Sequence, residues 1–235
     1  VVFGKAGGFG SAIELSSLNG TTGFRIDGVS TTDRSGFSVS TAGDVNGDGF
    51  DDLIIGAYSA EVGGSPVAGQ SFVVFGKAGG FSSALNLASL DGTTGFRVDG
   101  IDSFDRAGIS VSTAGDINGD GFDDLAIGAS GGDPGGNSYA GESYIVFGKP
   151  SSFAPVFALS TLDGTNGFRL NGTDPFDKAG LSLSSAGDVN GDGIDDLAVL
   201  IQASGSGVTG DLYIAAWVRY FQIVFTEGFV NRHIH

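Results

Sequence analysis

The 235-residue chain has no cysteine and no methionine. Without cysteine there are no disulfides, zinc–thiolate centres or thiol nucleophiles. Its two histidines, His233 and His235, stand at the extreme C-terminus, so no interior imidazole can serve as the base of a hydrolytic triad. Basic residues number 11 against 27 acids, a formal net charge of −16. Nothing here neutralises phosphates, which argues against nucleic acid as a partner. No apolar run approaches the ~20 residues of a membrane-spanning helix, and the N-terminus does not read as a secretory leader. Glutamate is scarce as well: of the acids, 4 are Glu and 23 are Asp. Solubility alone would use both, whereas aspartate is the acid of turns and of oxygen-ligand metal loops.

Glycine is abundant, at 43 residues, while prolines number 5 and hydrophobic residues still make up 40%. That is a turn-rich chain able to bury a core. It opens on Val1-Val2-Phe3 inside a strand-like run, which reads as a piece of something longer.

An internal repeat organises the sequence. Val1-Val2-Phe3-Gly4-Lys5-Ala6-Gly7-Gly8-Phe9 recurs unchanged as Val73 to Phe81 and returns, altered, as Ile145 to Phe153. Asp44, Asp116 and Asp188 keep the same spacing of 72 residues, as do Arg25, Arg97 and Arg169. Within each unit, Ser38–Thr41 and Ile109–Ser112 alternate apolar and polar residues, the pattern of a half-exposed strand. Leu53–Ala57 and Leu125–Ala129 are continuous apolar runs, as in buried strands. Ser71–Phe75 with Tyr144–Phe147, and Phe24–Asp27 with Phe96–Asp99, supply a third and a fourth strand. The stretch Ala84–Leu90 reads as loop, with one helical turn as the alternative. Four short strands per unit, joined by small-residue turns, predict an all-β fold of propeller blades, each a four-stranded antiparallel sheet.

Each unit carries one nine-residue loop: Asp44-Val45-Asn46-Gly47-Asp48-Gly49-Phe50-Asp51-Asp52, then Asp116 to Asp124, then Asp188 to Asp196. Side-chain oxygens at positions 1, 3, 5 and 9, with a position-7 carbonyl, suit a hard cation that takes about 6–8 oxygens. The candidate ligands are Asp44, Asn46, Asp48, Phe50 and Asp52; Asp116, Asn118, Asp120, Phe122 and Asp124; and Asp188, Asn190, Asp192, Ile194 and Asp196. The phenylalanines and Ile194 contribute only their backbone carbonyls. Calcium is the expected ion, at three sites. The position-8 residues Asp51, Asp123 and Asp195 are expected to face solvent. An EF-hand needs an acid at position 12, but Ile55, Ile127 and Val199 stand there. A set of Asx turns without an ion would need only one Asp or Asn per loop.

The loop is followed by Gly56-Ala57 or Gly128-Ala129, and the next strand ends in Phe75-Gly76 or Phe147-Gly148. This combination resembles the FG-GAP repeat of integrin α-subunit N-terminal propellers, and most of all long bacterial FG-GAP repeat proteins. The resemblance covers residues 1 to about 199. It implies a β-propeller with calcium in the loop joining a blade's first two strands, in extracellular proteins of adhesion or surface scaffolding. After Asp196 the pattern breaks: Leu197-Ala198-Val199-Leu200-Ile201 carries no Gly-Ala, and neither Asp211–Trp217 nor Arg219–Phe225 ends in Phe-Gly.

Other motifs carry less. Gly128-Ala129-Ser130-Gly131-Gly132 matches a nucleophile elbow without a helix or a base, and Gly205–Gly210 matches a dinucleotide fingerprint where a strand is expected next. Asn19-Gly20-Thr21 and Asn171-Gly172-Thr173 are glycosylation sequons only if the source is a eukaryotic secretory protein. The 19 phenylalanines are expected to fill space between blades, and the repeated arginines to pair with neighbouring aspartates.

The expected organisation is a partial or open propeller: a half blade over 1–35, blades over 36–107 and 108–179, and a divergent partial blade over 180–235. Single-chain propellers usually have 4–8 blades, so the expectation is further blades of a longer chain, an oligomer or an open array. The expected function is a non-enzymatic, calcium-binding extracellular module for cell adhesion or surface protein interaction, with a protein or glycan ligand. The alternatives are a carbohydrate-binding propeller lectin and a calcium-stabilised spacer of a large secreted protein.

Overall fold

The computed structural model describes residues 1–202, 211–218 and 221–224. His233, His235 and Gly205–Gly210 lie outside the described residues. The strands are β1 (Arg25–Asp27), β2 (Ser38–Gly43), β3 (Asp52–Ala57), β4 (Gln70–Val74), β5 (Ala84–Asn86), β6 (Gly95–Asp99), β7 (Ser110–Gly115) and β8 (Asp124–Ala129). They continue with β9 (Glu142–Val146), β10 (Val156–Ala158), β11 (Gly167–Asn171), β12 (Leu183–Gly187), β13 (Asp196–Ile201), β14 (Asp211–Val218) and β15 (Phe221–Val224). Among the described residues the helical turns are short 3₁₀ pieces, and none is long and apolar enough to cross a membrane.

Three antiparallel meanders follow one another: β2-β3-β4-β6, β7-β8-β9-β11 and β12-β13-β14-β15. They are four-stranded propeller-blade sheets in an open array, with β10 added parallel to the edge of the first. Ala84–Leu90 is not plain loop: Ala84–Asn86 pairs in parallel with β1, and Leu87–Ser89 forms a 3₁₀ turn. The Asn86 side chain accepts from the Ala88 amide, and such local side-chain capping starts turns. Both late strand candidates are used, since β14 pairs with β13 and β15 with β14. Val1–Phe3 contributes a single bridge between Val2 and Gly23.

The first strands β2, β7 and β12 lie side by side. Each sheet thereby presents one apolar face to the next. Val45, Ile54, Val73 and Phe96 of the first sheet share a core with Val111, Leu125 and Ile127 of the second. Ala114, Ile117 and Ala126 of the second share another with Leu183, Leu197 and Val199 of the third. Burial follows this stacking. Val45 and Ile117 are 0% and 3% exposed beneath their neighbours, whereas Val189, the same position in the third unit, is 58% exposed. The phenylalanines work between units: Phe153, from the connection after β9, stacks on Phe96 with centroids 4.2 Å apart, and Phe81 stacks on Phe24 at 4.2 Å. Arg25 pairs with Asp27 (2.6 Å) and Arg97 with Asp99 (2.7 Å), while Arg169, whose unit has Asn171 at the aspartate position, reaches Glu142 instead (3.1 Å).

The Gly-Ala glycine has a packing reason. A Cβ on Gly56 would collide with the Gly108 carbonyl of the next unit, and one on Gly128 with that of Gly180. The third unit has Leu200 at this position. Ser38 and Ser110 fasten the same carbonyls, donating at 2.8 and 2.9 Å.

Candidate metal centre

Each nine-residue loop joins the first two strands of its sheet: β2 to β3, β7 to β8, β12 to β13. In the first loop the position-1 carboxylate accepts the amides of Asp48 (3.0 Å) and Gly49 (2.8 Å). Asn46 Oδ1 accepts from Asp48 N–H at 2.9 Å, and Asp48 Oδ1 from Phe50 N–H at 3.0 Å. The second loop repeats the pattern: Asp116 accepts from Asp120 and Gly121, Asn118 from Asp120, and Asp120 from Phe122. So does the third, where Asp188, Asn190 and Asp192 accept the corresponding amides. The amides of positions 5, 6 and 7 turn inward and hold the side-chain oxygens of positions 1, 3 and 5 in a fixed fan.

Position 9 begins the second strand and is buried: Asp52 is 1% exposed, Asp124 and Asp196 0%. In all three loops its Oδ2 accepts the position-2 amide, from Val45 (3.1 Å), Ile117 (3.1 Å) and Val189 (2.9 Å). Its other oxygen accepts, in the first two units, the amide of the Phe-Gly glycine, Gly76 or Gly148, both at 2.8 Å. The third unit has no Phe-Gly, and there Asn190 Nδ2 donates to Asp196 Oδ1 at 3.4 Å. In the intact units the same amide group serves Asp48 (3.1 Å) or Asp120 (3.0 Å). Burial pushes the carboxyls of Asp52 and Asp124 up to about 7, and the nearby charges of positions 5 and 1 push the same way. Asp188, by contrast, is held below the usual carboxylate range by the amides of Gly193, Gly191 and Asp192.

A buried carboxylate in a loop with two more aspartates, at positions 1 and 5, and an asparagine, and with no cationic side chain, is a donor set that fits a hard cation. Among the described residues no three acidic side chains stand close enough to form a ready-made metal cluster. Binding would therefore have to draw the fan inward, coupling metal to loop folding. Ile55, Ile127 and Val199 lie inside β3, β8 and β13, so position 12 offers no ligand.

One sequence expectation holds only in part. Asp123 and Asp195 are half-buried and each has a partner: Asp123 Oδ2 accepts the Asp44 amide of the preceding loop (2.8 Å), and Asp195 Oδ2 accepts that of Asp116 (3.1 Å). The spacing within one loop carries no sign of this, because the partner lies 79 residues away. Asp51, on the first unit, is exposed.

The FG-GAP repeat family matches residues 35–74 and 107–146. Those spans hold the first three strands of the first two sheets and their loops. The chain is 32% identical over 200 residues to Integrin alpha-PS2 of Drosophila melanogaster, covering 83% of this chain and 13% of that protein. It is 30% identical over 168 residues to Integrin alpha-4 of Xenopus laevis, 71% of this chain and 14% of that one. This is an integrin-α-like FG-GAP repeat protein. A shorter match, 34% over 107 residues, joins it to phosphatidylinositol-glycan-specific phospholipase D of Mus musculus, covering 44% of this chain and 12% of the enzyme. The chain thus spans about an eighth to a seventh of the relatives it matches. The family match leaves out the third unit, the one that lacks both Gly-Ala and Phe-Gly. The long bacterial form of the repeat stays an expectation.

Proposed function

We propose that the chain is a calcium-binding, non-enzymatic β-propeller module of an extracellular adhesion or surface-interaction protein, with blades at 36–107 and 108–179 flanked by a half blade (1–35) and a divergent one (180–235). The observation that supports calcium most directly is the buried position-9 carboxylate, fixed by the position-2 amide and repeated in three loops whose positions 1 and 5 are also aspartates. In each loop the ligands would be the side chains at positions 1, 3, 5 and 9 and the carbonyl at position 7. Bound calcium would neutralise charges that otherwise repel, and a ligand held only by the native state stabilises it by about 2.7 kcal/mol per site at a hundredfold excess over Kd. Thermal melting in calcium and in chelator tests this: a clear rise with calcium is expected, and superimposable curves would remove the proposal.

A glycan ligand has one observation in its favour. At the strand ends opposite the loops, Tyr139 and Phe176 are 40% and 52% exposed and stack with centroids 6.0 Å apart. Together with Arg106 and Lys178 they line a groove of about 380 Å³. Exposed stacked rings are platforms for flat ligand faces, and the two cations would favour an acidic sugar. Glycan-array binding that Tyr139→Ala abolishes would support this reading over a protein ligand.

A further inference from the structure

The loops are not independent of one another. The second unit grips the first loop at four points. Asp44 N–H donates to Asp123 Oδ2 (2.8 Å), and the Asp44 carbonyl accepts from Asp123 N–H (3.3 Å). The Val45 carbonyl accepts from Lys149 N–H at 3.0 Å. Gly47 lies against the Phe122 ring, where any Cβ would collide. The third unit holds the second loop through the corresponding bond, Asp195 Oδ2 accepting from Asp116 N–H (3.1 Å), with Ile194 in ordinary contact range of Gly119. Gly43 and Gly115 make room for these carboxylates; at φ +71° and +68°, in the left-handed region, a Cβ would strike Asp123 or Asp195. Beyond the third loop the pattern stops. Among the described residues Asp188 N–H has no such acceptor, and a Cβ on Gly187 or Gly191 would meet nothing within 4 Å.

We propose that the position-8 aspartate is a positioning residue for the metal loop of the preceding unit. Asp123 serves the loop of Asp44, Asp195 serves the loop of Asp116, and Asp51 serves none of the three. The inference rests on the calcium reading above. The bond fixes the peptide that carries the first ligand, and its carboxylate adds negative charge beside the loop that is to take a cation. Metal affinity in one unit therefore depends on a residue of the next.

The test is a calcium titration of the full chain followed by NMR at the position-6 amides of Gly49, Gly121 and Gly193, each of which donates to the first aspartate of its own loop. Asp123→Ala is expected to raise the calcium midpoint about tenfold at Gly49, the loss typical of a charge-assisted hydrogen bond, with little change at Gly121. Asp195→Ala is expected to do the same at Gly121 and spare Gly49. Asp51→Ala is expected to move neither, and Asp123→Asn, which keeps an acceptor, to recover part of the loss. The proposal is overturned if Asp123→Ala weakens its own loop as much as its neighbour's, if Asp51→Ala weakens the Gly49 site, or if no variant shifts any midpoint. Should Asp123→Ala not fold, Asp195→Ala carries the same comparison at the second junction. Should no loop bind calcium, the calcium reading falls and the positioning role is judged in chelator. There, melting points lowered by Asp123→Ala and Asp195→Ala but not by Asp51→Ala uphold the contact, and equal effects of all three overturn it.

Discussion

The Gly76 amide donates to Asp52 Oδ1 at 2.8 Å, and 72 residues later Gly148 does the same for Asp124. The two halves of the family signature, the acidic loop and the Phe-Gly that follows a strand later, are thus bonded directly to each other. A side chain at either glycine would collide with a loop carbonyl, that of Asp51 or Asp123.

Gly148→Ala should therefore destabilise the protein by about 1–3 kcal/mol, the usual cost of forcing atoms into a packed site. Gly4→Ala, at a residue whose added Cβ would meet nothing within 4 Å, should stay within about 0.5 kcal/mol. Urea unfolding of the two variants checks this, and equal midpoints would contradict it.

The three loops should not bind calcium alike. The third lacks the Phe-Gly amide, has no positioning carboxylate among the described residues, and has turned its Asn190 amide from position 5 to position 9. Calorimetry should resolve a weaker class of site that Asp192→Ala removes, while Asp48→Ala and Asp120→Ala remove tighter ones. Three equal affinities would count against the geometry described.

Phe153 is 5% exposed and stacked on Phe96, whereas Phe9, its equivalent two repeats earlier, is 51% exposed. Phe153→Ala should cost about 3–5 kcal/mol, the range for emptying an aromatic site in a core. Phe9→Ala should change stability by about 0.5 kcal/mol or less. Denaturant midpoints at matched m-values would show the contrast.

Burial raises the Asp105 carboxyl to about 7, with the charges of Glu142, Asp102 and Asp133 adding to the effect. Its unfolded value is about 3.9, so the native state holds the proton more tightly. The stabilisation is complete below pH ~4 and is lost as pH rises through ~7, at no more than about 1.4 kcal/mol per pH unit from this group. Asp52 and Asp124 act in the same direction when no metal is present. Unfolding in chelator should therefore become easier between pH 5 and pH 8. Asp105→Asn should flatten that slope, and an unchanged slope would reject the assignment.

Much of this was legible in the chain. Strand positions followed from alternation and apolar runs, and β3 and β8 fall on the continuous runs Leu53–Ala57 and Leu125–Ala129. Arg25 and Arg97 pair with neighbouring aspartates as expected, whereas Arg169 reaches Glu142 instead. What escaped was contact between units. A repeat displays its own spacing but not which neighbour its side chains reach, so Asp123 read as solvent-facing although it bonds to Asp44. The parallel pairing of β5 with β1 was hidden for a similar reason, because three residues carry no periodicity to read.

Leu200 bears on how far such a stack can extend. At Gly56 and Gly128 the absent side chain is what lets the following sheet's carbonyl settle onto the strand. Leucine occupies that seat in the third sheet. The array therefore has a polarity: its first sheet offers a regular edge, with Val39 67% and Phe50 42% exposed, while its third is plugged against a successor of the same design. Any sheet placed after Leu200 would have to sit at another angle or stand further off than the second and third sheets do.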